Sequence, residues 1–216
     1  EGVISEAQEL AAQAFGAEQT WFLINGSSSG IMAAILATCH TGDTIILPRN
    51  IHRSAIAGLI LSGANPIFIA PEYDPTVDLV GSVTPEALEA TLKTYPDTKA
   101  VLLLHPTYQG ICGNLKKMAE ITHRYHIPLL VDEAHGGHFA FHDQLPPSAL
   151  SCGADLTVQS THKVLGAMTQ ASMLHLQGDR VDAQGINQAL QWLQTTSPSY
   201  LLLASLDAAR QQIAMQ

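Results

Sequence analysis

In Pro128-Leu129-Leu130-Val131-Asp132-Glu133-Ala134-His135-Gly136-Gly137-His138, a short apolar run ends abruptly on two carboxylates. Residues that are apolar in succession, rather than in alternation, fit a strand buried between two helical layers. Similar runs recur on both sides: Thr44–Leu47, Pro66–Ile69, Ala100–Leu104, Pro128–Val131, Leu156–Val158 and Ala171–Leu176, with a further short strand at Thr20–Leu23. Segments of helical period stand between them, with Ile4, Ala7, Ala11 and Ala14 on one face and Ile31, Ala34, Ile35 and Thr38 on another. Thr84 before Pro85 and Glu86 reads as an N-cap followed by proline in the first turn, starting a helix to about Thr94. Asn114 starts another that ends near His126, ahead of Pro128, and Glu72 to Pro85 is the longest irregular stretch. This alternation predicts one α/β domain of three layers, α/β/α, around a mostly parallel sheet.

Composition narrows the function. A chain of 216 residues with 46% apolar content can bury a substantial core. Only 13% of residues are charged, so part of the surface is expected to be hidden in an oligomer or against further domains. A net charge of −9 with no basic patch excludes nucleic acid as a partner and suits a cationic small molecule. No apolar run approaches the roughly 20 residues that span a bilayer, and no basic-then-apolar leader is present, so no membrane partner is expected. Cys39, Cys112 and Cys152 are odd in number and far apart, which makes neither a disulfide framework nor a zinc site. A reducing cytoplasm is the expected compartment. The helical pattern begins directly at Glu1, and a closing one runs from Tyr200 to Gln216, as expected of a fragment or trimmed domain.

In sheets of this kind ligands collect on the loops leaving the carboxyl ends of the strands, and the chemically suggestive residues fall there. Asn25-Gly26-Ser27-Ser28-Ser29-Gly30 joins a strand to a helix beginning near Ser28. Glycines permit close backbone approach, and hydroxyls with free N–H groups at a helix start cradle an anion such as a phosphate. Taken alone, the same residues also read as an ordinary serine-capped helix. Asp132, at the tip of its buried strand, needs a partner to offset desolvation. A pyridinium N–H is such a partner, and the carboxylate would keep that ring protonated as an electron sink. His135, His138 and His142 raise a metal reading, but Gly136-Gly137 breaks the helix that would put them on one face, so no metal is expected. Glu133 and His138 read as supporting groups.

Gln159-Ser160-Thr161-His162-Lys163 follows the strand Leu156–Val158. Its lysine lies in apolar flanks, where burial favours the free amine needed to form an imine; Ser160 and His162 add contacts for a phosphate. Arg49-Asn50-Ile51-His52-Arg53-Ser54 places an imidazole where it can stack on a flat ring, although a lone histidine is commonly structural. Thr107, in Thr107-Tyr108-Gln109-Gly110, brings a hydroxyl towards the same edge.

Asn25–Gly30, Pro48–Ser54, Pro106–Gly110, Asp132–Gly137, Gln159–Lys163 and Thr196-Ser197-Pro198-Ser199-Tyr200 together resemble the Orn/Lys/Arg decarboxylase family over essentially the whole chain. The resemblance implies the large domain of a pyridoxal 5'-phosphate (PLP) enzyme of the aspartate aminotransferase type. Residues 1–216 would be its cofactor-binding major domain, with an N-terminal segment and a C-terminal small domain outside the chain. It implies that Ser27, Ser28 and Ser160 hold the phosphate, His52 stacks on the ring, Ala134 packs against it and Asp132 pairs with its nitrogen. Lys163 would form the Schiff base, with His162 beside the phosphate. His135 stands where the large enterobacterial enzymes carry tryptophan, which points to the shorter arginine-decarboxylase-like branch. The implied reaction is decarboxylation of a basic amino acid, arginine before lysine or ornithine, in a homodimer or an assembly of dimers. Other reactions of the same fold, namely transamination, oxoamine synthesis and aldol cleavage, and a non-catalytic regulatory homologue remain open at this point.

Overall fold

The structure, a computed structural model, describes residues 2–215. Glu1 and Gln216, where the opening and closing helical patterns were expected to reach, lie outside the described residues. Seven strands form the central sheet: β1 (Gln19–Leu23), β2 (Thr44–Pro48), β3 (Asn65–Ile69), β6 (Ala100–Leu104), β7 (Leu129–Asp132), β8 (Leu156–Gln159) and β9 (Ser172–Leu176). Their spatial order is β1-β9-β8-β7-β6-β2-β3. The β2–β3, β2–β6, β6–β7 and β7–β8 pairs are parallel, whereas β9 runs antiparallel to both of its neighbours.

The expected three layers are present. Along each central strand successive residues face opposite layers. Leu102, Leu130, Leu156, Val158 and Leu174 pack under α2 (Gly26–Thr38), α3 (Arg53–Ser62) and α7 (Ala183–Leu193). On the other face Val101, Leu103, Leu129 and Val131 meet α4 (Pro85–Thr94) and α5 (Leu115–Arg124). Phe22 and Met173 meet α1 (Val3–Phe15) and α8 (Tyr200–Ala214). This is why the strands read as continuous apolar runs. Gly30 lets α2 lie this close to the sheet, since a Cβ there would stand 2.6 Å from Leu23 Cδ1 and 2.8 Å from Val158 Cγ1.

Capping residues set the helix limits as expected. Thr84 Oγ1 accepts from the Ala87 amide with Pro85 in the first turn, and Asn114 Oδ1 accepts from Lys117 N. The chain leaves α5 earlier than expected, at Arg124, and turns through a left-handed His126 (φ 59°) before Pro128. Three features were not anticipated. Helix α3 follows His52 directly, α7 follows β9, and two two-residue strands, β4 (Tyr73–Asp74) and β5 (Leu79–Val80), pair inside the stretch read as irregular.

At the edge of the sheet away from the site, buried Asp155 ties three elements together. Its Oδ2 accepts from Leu129 N at 2.7 Å and His123 Nε2 at 2.9 Å, and its Oδ1 from Arg180 Nη1 at 3.0 Å. Asp155→Ala would leave a buried amide and a guanidinium without their acceptor. We expect it to lower the unfolding free energy by about 3 kcal/mol, read from urea denaturation; an unchanged midpoint would show that this cluster holds nothing.

Candidate active site

The loops leaving β1, β2, β6, β7 and β8 converge on a cavity of about 380 Å³ lined by Ser27, Ser28, His52, Asp132, Ala134, His135, His162 and Lys163, among others. Two larger grooves, of about 800 Å³ beside α2 and α7 and of about 710 Å³ between the end of α1 and the segment linking β7 to β8, bring no lysine to a buried carboxylate.

Helix α2 begins earlier than expected, at Gly26, whose positive φ of 77° suits glycine and turns the chain from β1 into the helix. Ser27 and Ser28 then face the cavity from its first turn, whose backbone N–H groups have no partners within the helix. Ser29 instead turns back and donates to Gly26 O at 2.8 Å. Ser160 does not line the cavity. It is fully buried behind Ser27 and donates to Ser27 Oγ at 2.7 Å, orienting that hydroxyl.

Asp132 sits at the end of β7 with 8% of its surface exposed. Among the described residues the only hydrogen bond to its carboxylate comes from Ala134 N to Oδ1, at 3.1 Å. Burial pushes the carboxyl up to about 6, against the opposing pull of that amide and of the Lys163 charge. An acceptor so placed calls for a charged or strongly polar N–H donor in the cavity.

His52 is the N-cap of α3. Its Nδ1 accepts from Ser54 N at 3.2 Å and lies 2.8 Å from Ser54 Oγ, which leaves the proton on Nε2 and fixes the ring. Burial, then the charges of Lys163 and Arg53, hold its pKa below the usual imidazole value, so the ring is neutral near pH 7. His135 Nε2 lies 3.4 Å from Lys163 Nζ, with its ring edge-on to Tyr108 at 5.1 Å. Burial, followed by the charges of Lys163 and His52, lowers its pKa too, leaving an imidazole that accepts from the lysine. His162 Nδ1 donates to Ala171 O at 2.9 Å.

Two expectations need correction. Lys163 is exposed rather than buried, because α6 (Thr161–Val164) is a single turn that projects it into the open cavity. Its apolar neighbours in sequence pack elsewhere, so the burial argument for a free amine does not hold. Thr107 is buried away from the cavity, where its Oγ1 accepts from Ile111 N at 3.2 Å; Tyr108 lines the cavity in its place. His138 and His142 also stand outside the lining, and exposed His142 caps the Gln144 amide. Thr169 and Gln170, which do line it, escaped the sequence reading. They precede β9, and because β9 is reversed, its amino end lies at the carboxyl edge of the other strands.

The fold is that of the fold-type-I PLP-dependent enzymes. Lysine decarboxylase A from Pseudomonas aeruginosa superposes with a TM-score of 0.88 at 28% identity, over 99% of this chain and 31% of that one. Within this class the chain belongs to the Orn/Lys/Arg decarboxylase family, whose major-domain model matches residues 1–216. The arginine decarboxylases of Halalkalibacterium halodurans and Bacillus subtilis are 48% and 46% identical to it, over 99% and 100% of this chain and 43% and 44% of theirs. This agrees with the shorter branch indicated by His135. The chain therefore spans less than half the length of these curated relatives. Among the described residues no helix is long and apolar enough to cross a membrane.

Proposed function

We propose that the intact protein is a PLP-dependent decarboxylase of a basic amino acid, with arginine preferred over lysine or ornithine. The observation that carries the cofactor assignment is buried Asp132, short of hydrogen-bond donors and sharing one cavity with a serine-lined helix start and Lys163. These residues fit the cofactor end to end. Asp132 accepts from the ring nitrogen; Ser27, Ser28 and the free amides of α2 take the phosphate, with Ser160 holding Ser27 in place. His52, kept neutral and fixed by Ser54, offers a flat face for stacking, and Ala134 leaves room for the ring. Lys163 would hold the cofactor covalently through its amine, and His162 would stand beside the phosphate. When bound, PLP supplies the electron sink into which the bond to the carboxylate breaks, and the protein selects that bond by orienting the substrate.

Arginine is favoured by the names of the relatives at 46–48% identity. A guanidinium is best held by a planar carboxylate, yet the one acidic residue among the described residues lining the cavity is Asp132, which the ring nitrogen occupies. The selecting carboxylate is therefore assigned to another part of the protein or to a partner subunit. Exposed Tyr108 (53%) and Met168 (51%), together with a charged fraction of only 13%, support a homodimer or an assembly of dimers that covers this face. The unpaired cysteines suit the cytoplasm. Comparing kcat/KM for arginine, lysine and ornithine on the intact protein tests the substrate. We expect arginine to lead by about tenfold or more, a difference of roughly 1.4 kcal/mol, and neutral amino acids to be poor; a lead for lysine or ornithine overturns the arginine assignment alone. Sedimentation of an active monomer would overturn the assembly.

A further inference from the structure

A row of buried polar side chains crosses the sheet beneath the cavity, and none of the groups above uses it. Thr20 Oγ1 on β1 lies 2.8 Å from His175 Nδ1 on β9, and His175 Nε2 lies 3.0 Å from Gln159 Oε1 on β8. Gln159 Nε2 donates to Glu133 Oε2 at 2.7 Å, and Ala149 N donates to Glu133 Oε1 at 2.7 Å. All four side chains are at most 2% exposed, and Phe15 closes the row by stacking on His175 at 4.8 Å.

The donor directions are dictated from one end. Both Glu133 oxygens accept, Oε1 from Ala149 N and Oε2 from Gln159 Nε2, so Gln159 turns its nitrogen to Glu133 and its oxygen to His175. His175 must then carry its proton on Nε2, leaving Nδ1 to accept from Thr20. Folding alone does not require such a row, because apolar side chains would fill it without the risk of unsatisfied groups. Its ends are informative. Glu133 follows Asp132, Gln159 precedes Ser160, and β1 leads into Ser27 and Ser28. The strands carrying the ring-nitrogen partner, the lysine and the phosphate seat are thus joined through side chains, with reversed β9 supplying the link.

We infer that Glu133, Gln159, His175 and Thr20 form one positioning unit, which sets the separation between Asp132 and the serine-lined helix start and so matches the site to a cofactor of one length. This rests on the PLP reading above. The unit acts through other residues and touches no reacting atom. Its direction is also reversible. In Glu133→Gln the new amide can accept from Ala149 and donate to Gln159. Gln159 then turns over, His175 moves its proton to Nδ1, and Thr20 accepts. Glu133→Met offers no such rearrangement.

The test uses the full-length protein and reads dissociation constants for PLP and for pyridoxal, which lacks the phosphate, from visible absorbance, with melting temperature alongside. We expect Glu133→Gln to hold PLP within about threefold of wild type, and Glu133→Met and Gln159→Met to bind it about tenfold or more weakly, with pyridoxal binding unchanged. Thr20→Val, nearly isosteric and remote from the cavity, reads the same quantities should the Glu133→Met protein fail to fold. Equal weakening of PLP and pyridoxal, a lowered melting temperature with unchanged dissociation constants, or a Glu133→Gln protein as impaired as Glu133→Met would each overturn the positioning unit. A wild-type protein that takes up no PLP overturns the functional reading and this inference with it, whereas normal wild-type uptake with unaffected variants overturns this inference alone.

Discussion

Lys163→Ala is expected to abolish both turnover and the borohydride-stable attachment of cofactor to the protein. Lys163 is the one lysine among the described residues lining the cavity, and its exposed amine projects from a single helical turn at the end of β8. Lys116 and Lys117, on α5, are outside that lining. Alanine removes the amine without disturbing a buried contact, so the variant should fold normally and still bind the cofactor non-covalently through the α2 seat and Asp132. Peptide mapping after borohydride reduction decides the matter: label recovered on Lys116, Lys117 or any other lysine would show that the site is misassigned. A non-catalytic homologue predicts no turnover in wild type either.

Asp132→Asn is expected to reduce turnover by about 10²-fold or more, equivalent to roughly 2.7 kcal/mol at the transition state. An amide cannot hold a ring nitrogen in its protonated form, and no other acidic residue of the described lining is available to replace it. Turnover near wild type with normal cofactor binding would refute the geometry. The same variant has a signature without cofactor. Burial raises the Asp132 carboxyl from 3.8 to about 6 in the folded protein. Between those values the folded state binds more protons than the unfolded chain, so this group's contribution is complete below about pH 4 and is lost as the pH rises through about 6. The loss is on the order of 3 kcal/mol. Buried Glu133, pushed up to about 8, contributes the same decline to both proteins, so denaturant titrations across that range should show a decline smaller by this amount in Asp132→Asn; an identical decline in both proteins would mean that Asp132 does not titrate in that range.

The two substitutions share a logic with the rest of the site, in which groups are oriented by neighbours, two of which, Ser54 and Ser160, lie outside the cavity lining. Ser54 fixes the His52 ring, Ser160 holds Ser27, and Ala134 anchors the Asp132 carboxylate through its amide. His135 adds a neutral acceptor 3.4 Å from the Lys163 amine.

Much of this was legible in the linear sequence because its causes are local. Strands buried on both faces must be apolar at every position, so β6, β7, β8 and β9 announced themselves, and Thr84 and Asn114 marked helix starts through hydrogen bonds spanning three residues. Ser27, Ser28, Asp132 and Lys163 could be read from the sequence because each stands at or a few residues beyond the carboxyl end of a strand. What the tertiary structure alone decided depends on partners distant along the chain. The reversal of β9 brings Thr169 and Gln170 to the site, Thr107 turns inward to its own loop, and Lys163 is exposed although its neighbours in sequence are apolar. The partners of Glu133 lie 16 and 26 residues away, and Thr20 and His175 are separated by 155. No local pattern encodes those pairings, because a buried polar side chain is satisfied by whichever donor or acceptor the packed sheet places opposite it, and that is settled only when the strands assemble.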